Sequence, residues 1–356
     1  MSELKLMKGN EALAEAAIRV GADAYFGYPI TPQSEVLEYL SREAHARTGM
    51  VVLQAESEVA SINMVYGAAG TGKKVFTSSS SPGMSLMQEG ISYIACAELP
   101  CLLVNVNRGG PGLGTIQPGQ GDYFQSVKGG GHGDYKMIVL APSTVQEMAD
   151  FVKLGFELAY KYRNPILILT DGALGQMMEK VELFSQQDRT FEDLGWNIIG
   201  RSNGRDSNVI TSLHLKADKM EEINIRLQKK YNEMRKNEVR YETVNCDDAD
   251  YIIVAYGLVA RICQKSAQLA RDKGLKVGVI RPITLFPYPE EVINNYADKV
   301  KGMFVVEMNA GQMLEDVKLS VNGKVPVEFH GRMGGVVPQP EEILEKLEEK
   351  LLGGSK

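Results

Sequence analysis

Cysteine is scarce and poorly spaced for metal work: Cys96, Cys101, Cys246 and Cys263 form no Cys-x-x-Cys pair. This predicts that no iron–sulfur cluster is held within the chain. Scattered buried thiols in a reducing compartment are expected instead. His45, His214 and His330 have no acidic or cysteine neighbours at metal-ligand spacing, so no zinc site is predicted. Positive charge is also in short supply. Against 39 Lys+Arg stand 45 Asp+Glu, a formal net charge of -6, which lacks the basic footprint of a nucleic-acid binder. No uninterrupted apolar run approaches the ~20 residues needed to cross a bilayer. Met1-Ser2-Glu3-Leu4-Lys5 lacks secretory-signal architecture. A cytoplasmic protein with no membrane partner is expected. The 44% of hydrophobic residues in 356 is enough for an ample core and suggests two domains.

Helix-period and strand-like segments alternate from the start. Leu13, Ala16, Ala17 and Val20 recur at helical spacing before an apolar run over 24–30. Strands are predicted over 51–53, 74–78, 101–106, 138–140 and 166–170, and helices over 57–69, 85–95 and 144–160. Such alternation predicts an α/β fold with a parallel sheet covered on both faces. Residues 108–135 break the pattern with a glycine-rich segment that follows a strand end, where open parallel sheets place their ligands. It reads as a site-lining loop that orders against a partner. A polar stretch over 200–208 and a charged helix over 216–240, with Met220, Ile223, Leu227 and Tyr231 on one stripe, form a connector. A second α/β unit starts near Asp250. It has strands over 251–256, 277–280 and 303–306, helices over 259–271 and after Pro289 and Gly311, and a terminal helix over 341–352. The boundaries are therefore 1–185, 186–248 and 249–356.

The first apolar run leads into Gly27-Tyr28-Pro29-Ile30-Thr31-Pro32-Gln33-Ser34-Glu35. Thr31-Pro32 is a helix-start signal, a capping hydroxyl followed by proline at the first helical position. A helix N-terminus suits a small carboxylate, although one such turn alone favours Thr31 as a simple cap. Gly67-Ala68-Ala69-Gly70-Thr71-Gly72-Lys73 imitates a phosphate-binding loop. It is followed by Lys74 where a Ser or Thr is required, and it leaves a helix for a strand rather than the reverse, so nucleotide hydrolysis is rejected.

Four segments, Tyr28-Pro29-Ile30-Thr31-Pro32, Glu56-Ser57-Glu58-Val59-Ala60, Ser81-Pro82-Gly83-Met84-Ser85-Leu86-Met87 and Asn107-Arg108-Gly109-Gly110-Pro111-Gly112, together resemble the alpha subunit of the 2-oxoacid:ferredoxin oxidoreductases. The 2-ketoisovalerate (branched-chain, 3-methyl-2-oxobutanoate) type is the nearest match. The resemblance continues through Asn208-Val209-Ile210-Thr211-Ser212-Leu213 to Arg281-Pro282-Ile283-Thr284-Leu285-Phe286-Pro287. It departs at Ser80-Ser81-Pro82-Gly83, where many relatives have Ser-Gly-Pro-Gly, and so adds a side chain beside the implied cofactor.

The resemblance implies a pyrimidine-type thiamine-diphosphate-binding parallel-sheet domain followed by a transketolase C-terminal-like α/β domain. It implies CoA-dependent oxidative decarboxylation of a 2-oxo acid to acyl-CoA and CO2, with electrons passing to ferredoxin. Glu58 is implied as the carboxylate beside the aminopyrimidine, with Glu56 as its rival and first-turn dipole stabilisation as the bland alternative. Arg108 is implied as the substrate-carboxylate ligand with Thr31 as second contact; the alternative is that Arg108 braces the glycine loop through backbone carbonyls. Tyr28, Pro29, Ile30, Ser81, Pro82 and Gly83 complete the implied cofactor contacts. His132 is a candidate with no assigned role. The family's diphosphate and Mg²⁺ ligands lie in a Gly-Asp-Gly motif, which is absent, and Gly121-Asp122-Tyr123 and Gly133-Asp134-Tyr135 are not substitutes. The thiamine diphosphate is thus expected to be shared with a beta subunit that supplies Mg²⁺, and the clusters to lie on partner chains. A gamma subunit and a ferredoxin-like subunit complete the expected complex, with CoA as co-substrate. The readings kept open are pyruvate or 2-oxoglutarate as substrate, a non-oxidative thiamine decarboxylase subunit, and a non-catalytic scaffold.

Overall fold

The computed structural model describes residues 3–201, 204 and 206–353. Residues 202, 203 and 205 of the polar stretch, and the extreme ends of the first and last predicted units, lie outside the described residues. The first half runs β1 (Glu3–Lys8), α1 (Gly9–Arg19), β2 (Ala24–Gly27), α2 (Ser34–Thr48), β3 (Val51–Gln54), α3 (Glu58–Gly70), β4 (Val75–Ser79), α4 (Ser81–Cys96), β5 (Cys101–Asn107), α5 (Tyr123–Val127), β6 (Ile138–Leu140), α6 (Val145–Tyr162), β7 (Pro165–Asp171), α7 (Gly172–Gln176) and β8 (Met178–Leu183). The second continues with α8 (Ala217–Asn237), β9 (Tyr241–Val244), β10 (Tyr251–Val254), α9 (Gly257–Asp272), β11 (Val277–Pro282), β12 (Thr284–Phe286), α10 (Glu290–Ala297), β13 (Gly302–Glu307), α11 (Gln312–Val321), β14 (Val327–Gly331) and α12 (Pro340–Leu351).

Strands β12-β6-β7-β5-β4-β2-β3 form one sheet in that order, and β14-β13-β10-β11-β9 a second. Within the first, β6, β7, β5, β4, β2 and β3 are parallel, as the alternation predicts. The continuous runs of β5 and β7 are buried along their whole length, the signature of strands covered on both faces. The false phosphate loop leaves α3 and enters β4, as expected.

Several expectations need correction. The apolar run over 24–30 contributes a strand only to Gly27, because its last residues turn into an exposed loop. The Thr31-Pro32 pair does not open a helix. The Thr31–Pro32 peptide is cis and α2 begins at Ser34 with Gln33 before it. Backbone carbonyls that an extending helix would use are claimed from elsewhere: Asn10 Nδ2 donates to the Pro32 carbonyl at 2.8 Å, and Arg108 to that of Thr31. The helix read over 85–95 starts earlier, at Ser81, with Pro82 in its first turn. The antiparallel β1–β8 ribbon was not foreseen, and β12, from the second half, closes an edge of the first sheet antiparallel to β6.

The glycine-rich segment is also more ordered than expected. Its second part is clasped by the other half of the chain. Gln120 exchanges backbone and side-chain bonds with Met308, its Nε2 donates to the Tyr256 carbonyl, and Asn309 Nδ2 donates to its own carbonyl at 2.8 Å. Pro118, Gly119 and Gln120 are buried, whereas residues 110–114 are exposed. Residues 118–120 of the loop therefore bridge the two sheets within this chain. The charged connector helix is α8, with Ile223, Leu227, Tyr231 and Met234 as its buried stripe. Cys101, Cys246 and Cys263 are buried and Cys96 is half-buried; burial is the main cause that pushes the thiols up, Cys246 to about 11.

The site loop is held by α1, and α1 by a buried carboxylate. Glu15, fully buried, accepts from Arg19 Nε at 2.6 Å, from Arg47 Nη1 at 2.6 Å and from the Tyr39 hydroxyl at 3.1 Å, which locks α1 to α2. Its burial raises the carboxyl pKa, but the two guanidiniums more than offset this and the net shift is downward. A depressed folded pKa gives stability that is present above the unfolded carboxylate value and lost as pH falls through the folded one. Replacing Glu15 by Ala leaves two guanidiniums facing a void. Chemical denaturation should then register a loss of about 3 kcal/mol or more at neutral pH, and the loss should shrink in acid.

Candidate functional site

The site is built at the ends of β2, β3, β4 and β5, where β3 and β4 lead into α3 and α4 and the other two run into loops. Glu58 begins α3 behind Ser57, whose hydroxyl accepts from the Ala60 amide at 3.2 Å and so caps the helix. The two rival acids are separated by this cap. Glu56, before it, is exposed, while Glu58, after it, is only 5% exposed. Its carboxylate has no hydrogen-bond or ion-pair partner among the described residues. It is packed against Gly83 in the first turn of α4. A Cβ added there would lie 2.6 Å from Glu58 Oε1 and 2.1 Å from Ser79 Oγ, so only glycine leaves this room.

Ser81, the departure from the resembled pattern, is turned away from that space. Its Oγ accepts from the Arg108 amide at 3.1 Å and lies 3.3 Å from the Arg108 carbonyl, and its own amide donates to Asn105 Oδ1 at 3.2 Å. The extra side chain thus ties the head of α4 to the end of β5. Arg108 is 8% exposed and forms no ion pair among the described residues. One guanidinium nitrogen donates to the Thr31 carbonyl at 2.8 Å, while Nε is buried without a partner. Arg108 therefore joins the Thr31 loop to the site. The glycine loop beside it is braced through the backbone, by the Arg108–Pro118 bridge and by Gly109 donating to Gln117. The bracing alternative is met only in part, since the single carbonyl that the guanidinium takes belongs to another loop.

The structure brings Glu58, Gly83, Ser81, Arg108 and Thr31 into one contiguous constellation. Pro82, in the first turn of α4, is half-buried; Tyr28 and Pro29 are exposed at its rim and Ile30 is half-buried beside them. His132 is not part of it. It is exposed and lies edge-on to Tyr93 near the far end of α4, about 18 Å along the helix from Ser81 at 1.5 Å per residue.

A polar layer under the site was missed. Ser79 Oγ, Ser80 Oγ and Asn107 Nδ2 are buried with no partner. Asn105 Nδ2 donates to Asp122 at 2.8 Å, and burial pushes the Asp122 carboxyl up although Asn105 and Ser81 pull it down. Asp171, at the end of β7 beside Asn107, is pushed to about 6 by burial while it caps α7. A signal for this layer was present. Asn105 and Asn107 interrupt an otherwise apolar strand, and Thr77 to Ser81 place successive hydroxyls in another, which a buried strand tolerates only where polar partners exist.

With the geometry in view, comparison with known proteins is informative. The sequence family described as "Pyruvate flavodoxin/ferredoxin oxidoreductase, thiamine diP-bdg" matches residues 15–241, and "Pyruvate:ferredoxin oxidoreductase core domain II" matches residues 249–343. The ketoisovalerate oxidoreductase subunit VorB of Methanothermobacter thermautotrophicus is 49% identical over 97% of both chains. Among solved structures, the 2-oxoglutarate:ferredoxin oxidoreductase of Magnetococcus marinus, with 2-oxoglutarate, coenzyme A and succinyl-CoA bound, superposes with a TM-score of 0.85 at 27% identity. The match covers 98% of this chain, which spans 65% of the length of that one. A split-gene transketolase in an inactive beta4 tetramer shares the fold alone, with a TM-score of 0.61 at 14% identity over 97% of this chain and 98% of that one. The anticipated α/β architecture and the anticipated resemblance both hold, and the chain belongs to the pyruvate flavodoxin/ferredoxin oxidoreductase family of thiamine-diphosphate-binding proteins.

Proposed function

We propose that this chain is the alpha-type subunit of a thiamine-diphosphate-dependent 2-oxoacid:ferredoxin oxidoreductase. With coenzyme A it converts a branched-chain 2-oxo acid to acyl-CoA and CO2 and passes electrons to ferredoxin. One observation carries the reading: Glu58 and Arg108, a buried carboxylate and a buried guanidinium that form no ion pair among the described residues, are brought together through Gly83 and Ser81 of α4. Leaving such groups unpaired costs several kcal/mol, which folding alone does not return and a bound ligand does. The 49% identity to a ketoisovalerate subunit supports the branched-chain substrate over 2-oxoglutarate or pyruvate.

The residues fit half of a thiamine site. Thiamine diphosphate supplies a nucleophilic carbon for attack on the 2-oxo carbonyl and a sink for the electrons of decarboxylation. Glu58, dry and unpartnered, is placed to hold a proton against the aminopyrimidine ring, and Gly83 leaves the space that this requires. Arg108, fixed by the Thr31 carbonyl, keeps its Nε free for a substrate carboxylate. Ser81 positions Arg108 through its main chain. Among the described residues, no group of three or more His, Cys, Asp or Glu is placed to hold a metal ion. We assign the diphosphate and Mg²⁺ ligands to a beta subunit, and the clusters to gamma and ferredoxin-like subunits. The exposed apolar side chains Tyr28, Val59 and Leu86, and the unpaired edge of β3, support a covering chain. No helix among the described residues is long and apolar enough to cross a membrane, and we place the complex in the cytoplasm. We keep 1–185 and 249–356 as the two units around the 186–248 connector, with β12 lent to the first sheet.

Acyl-CoA formation by the assembled complex, measured across a panel of 2-oxo acids with ferredoxin as acceptor, tests the assignment. A preference for pyruvate or 2-oxoglutarate would overturn the substrate, and product formation without acceptor would overturn the reaction class. Glu58→Gln should leave the fold intact and slow exchange of the cofactor C2 proton by about a hundredfold or more, while Glu56→Gln should change nothing. Arg108→Lys loses planar recognition and should lower kcat/KM for 2-oxo acids by about 2 to 3 kcal/mol, with KM rising. Titration calorimetry on the chain alone should find weak, magnesium-insensitive thiamine diphosphate binding that tightens when the beta subunit is added.

A further inference from the structure

The junction of α5, α8, β12 and α10 frames an open cavity of about 820 Å³ whose lining includes none of the residues of the Glu58 constellation. This lies within the range of sites that hold small organic ligands. Its wall carries four cations, Lys128, Lys136, Arg235 and Lys236, with Val127, Val239 and Val292 supplying apolar surface.

The charges are unevenly matched. Lys128 pairs with Asp316, whose other oxygen accepts from the Tyr123 hydroxyl at 2.6 Å, so that carboxylate is fully engaged. Glu290 and Glu291 also line the cavity, but both are exposed in the first turn of α10 and neither pairs with a cation among the described residues. Lys136 and Arg235 have no carboxylate partner among the described residues. Lys136 donates to the Val127 carbonyl at 3.1 Å and Arg235 to Asn232 Oδ1 at 2.8 Å. Both approach the ring of Phe286, at 5.8 and 5.3 Å from its centroid. A cation over an aromatic face gains little at such sites, too little to balance two neighbouring like charges. Burial, with Lys128 and Arg235 nearby, accordingly holds the Lys136 ammonium below its ordinary range. Tyr288, at 9% exposure, adds an aromatic wall to the same cavity.

We propose that this cavity binds a phosphorylated small molecule of the nucleotide class, its phosphates held by Lys136, Arg235 and Lys128 and its organic part against the valine wall. Phosphate matches the planar donor fork of Arg235 and the point charge of Lys136 together. The volume exceeds what a lone inorganic anion would fill. Two sources share this chemistry, a free nucleotide and the nucleotide end of coenzyme A.

Titration calorimetry on the full-length chain and on the assembled complex, with ADP, coenzyme A, adenosine and inorganic pyrophosphate as probes, separates the outcomes. ADP or coenzyme A should bind both preparations, adenosine should bind far more weakly, and affinity should fall with salt. Tighter binding of coenzyme A than of ADP would identify the co-substrate as the source; the reverse would identify a free nucleotide. Lys136→Gln together with Arg235→Gln should weaken binding by about tenfold or more at unchanged circular dichroism. Arg235→Gln alone, at an exposed position, guards against a folding defect. Three results would each overturn the proposal: no binding by any probe, equal binding of adenosine and ADP, or affinity unchanged in the variants. Binding to the free chain that disappears on assembly would also overturn it, by assigning the basic cavity to an acidic segment of a partner subunit.

Discussion

A single residue, Arg108, holds the candidate site together through its guanidinium and its main chain. Arg108 ends β5, takes the Thr31 carbonyl from one loop, receives Ser81 of α4 on its main chain and abuts the glycine segment through Pro118. No carboxylate of this chain pairs with it among the described residues, and its Nε is buried and unused. Folded proteins retain such groups where a ligand completes them, because an unpaired buried charge is among the most costly features a fold carries. The rest of the site follows from the same constraint. Glu58 lies against Gly83 on the helix whose Ser81 grips Arg108, so the acid and the guanidinium are held in one frame through α4.

The second half of the chain stabilises that frame without entering it. Gln120 binds Met308, Asn309 and Tyr256, so the glycine segment that begins at Arg108 ends on the second sheet. Strand β12 completes an edge of the first sheet from the same side. The two sheets are thereby coupled both through backbone hydrogen bonds, Gln120 to Met308 and β12 to β6, and through the Gln120 and Asn309 side-chain amides. Fixed geometry at a reacting centre is worth several kcal/mol of barrier, which gives this coupling a functional reason.

Much of the architecture was legible locally. The apolar runs of β4, β5 and β7, the helical stripe of α8 and the strand-helix alternation each follow from side-chain periodicity, which burial on both faces of a parallel sheet enforces. What failed did so where remote groups override local preference. Thr31-Pro32 reads as a helix start, yet Asn10 and Arg108 take the carbonyls that a helix would use. The glycine run reads as a partner-dependent loop, yet Gln120 is fastened nearly two hundred residues away in sequence.

By itself the sequence determined the fold class, the family resemblance and the candidate residues of the proposed thiamine half-site, because these rest on periodicity and on motifs contiguous in the chain. The tertiary structure decided which residues could act. It buried Glu58 and exposed Glu56 on either side of one capping serine, turned Ser81 toward Arg108 and away from the cofactor space, and removed His132 to the far end of α4. It alone also assembled Lys128, Lys136, Arg235 and Tyr288 around one cavity. Burial and hydrogen-bond partnership are set by segments far apart in the chain, and no local pattern encodes them.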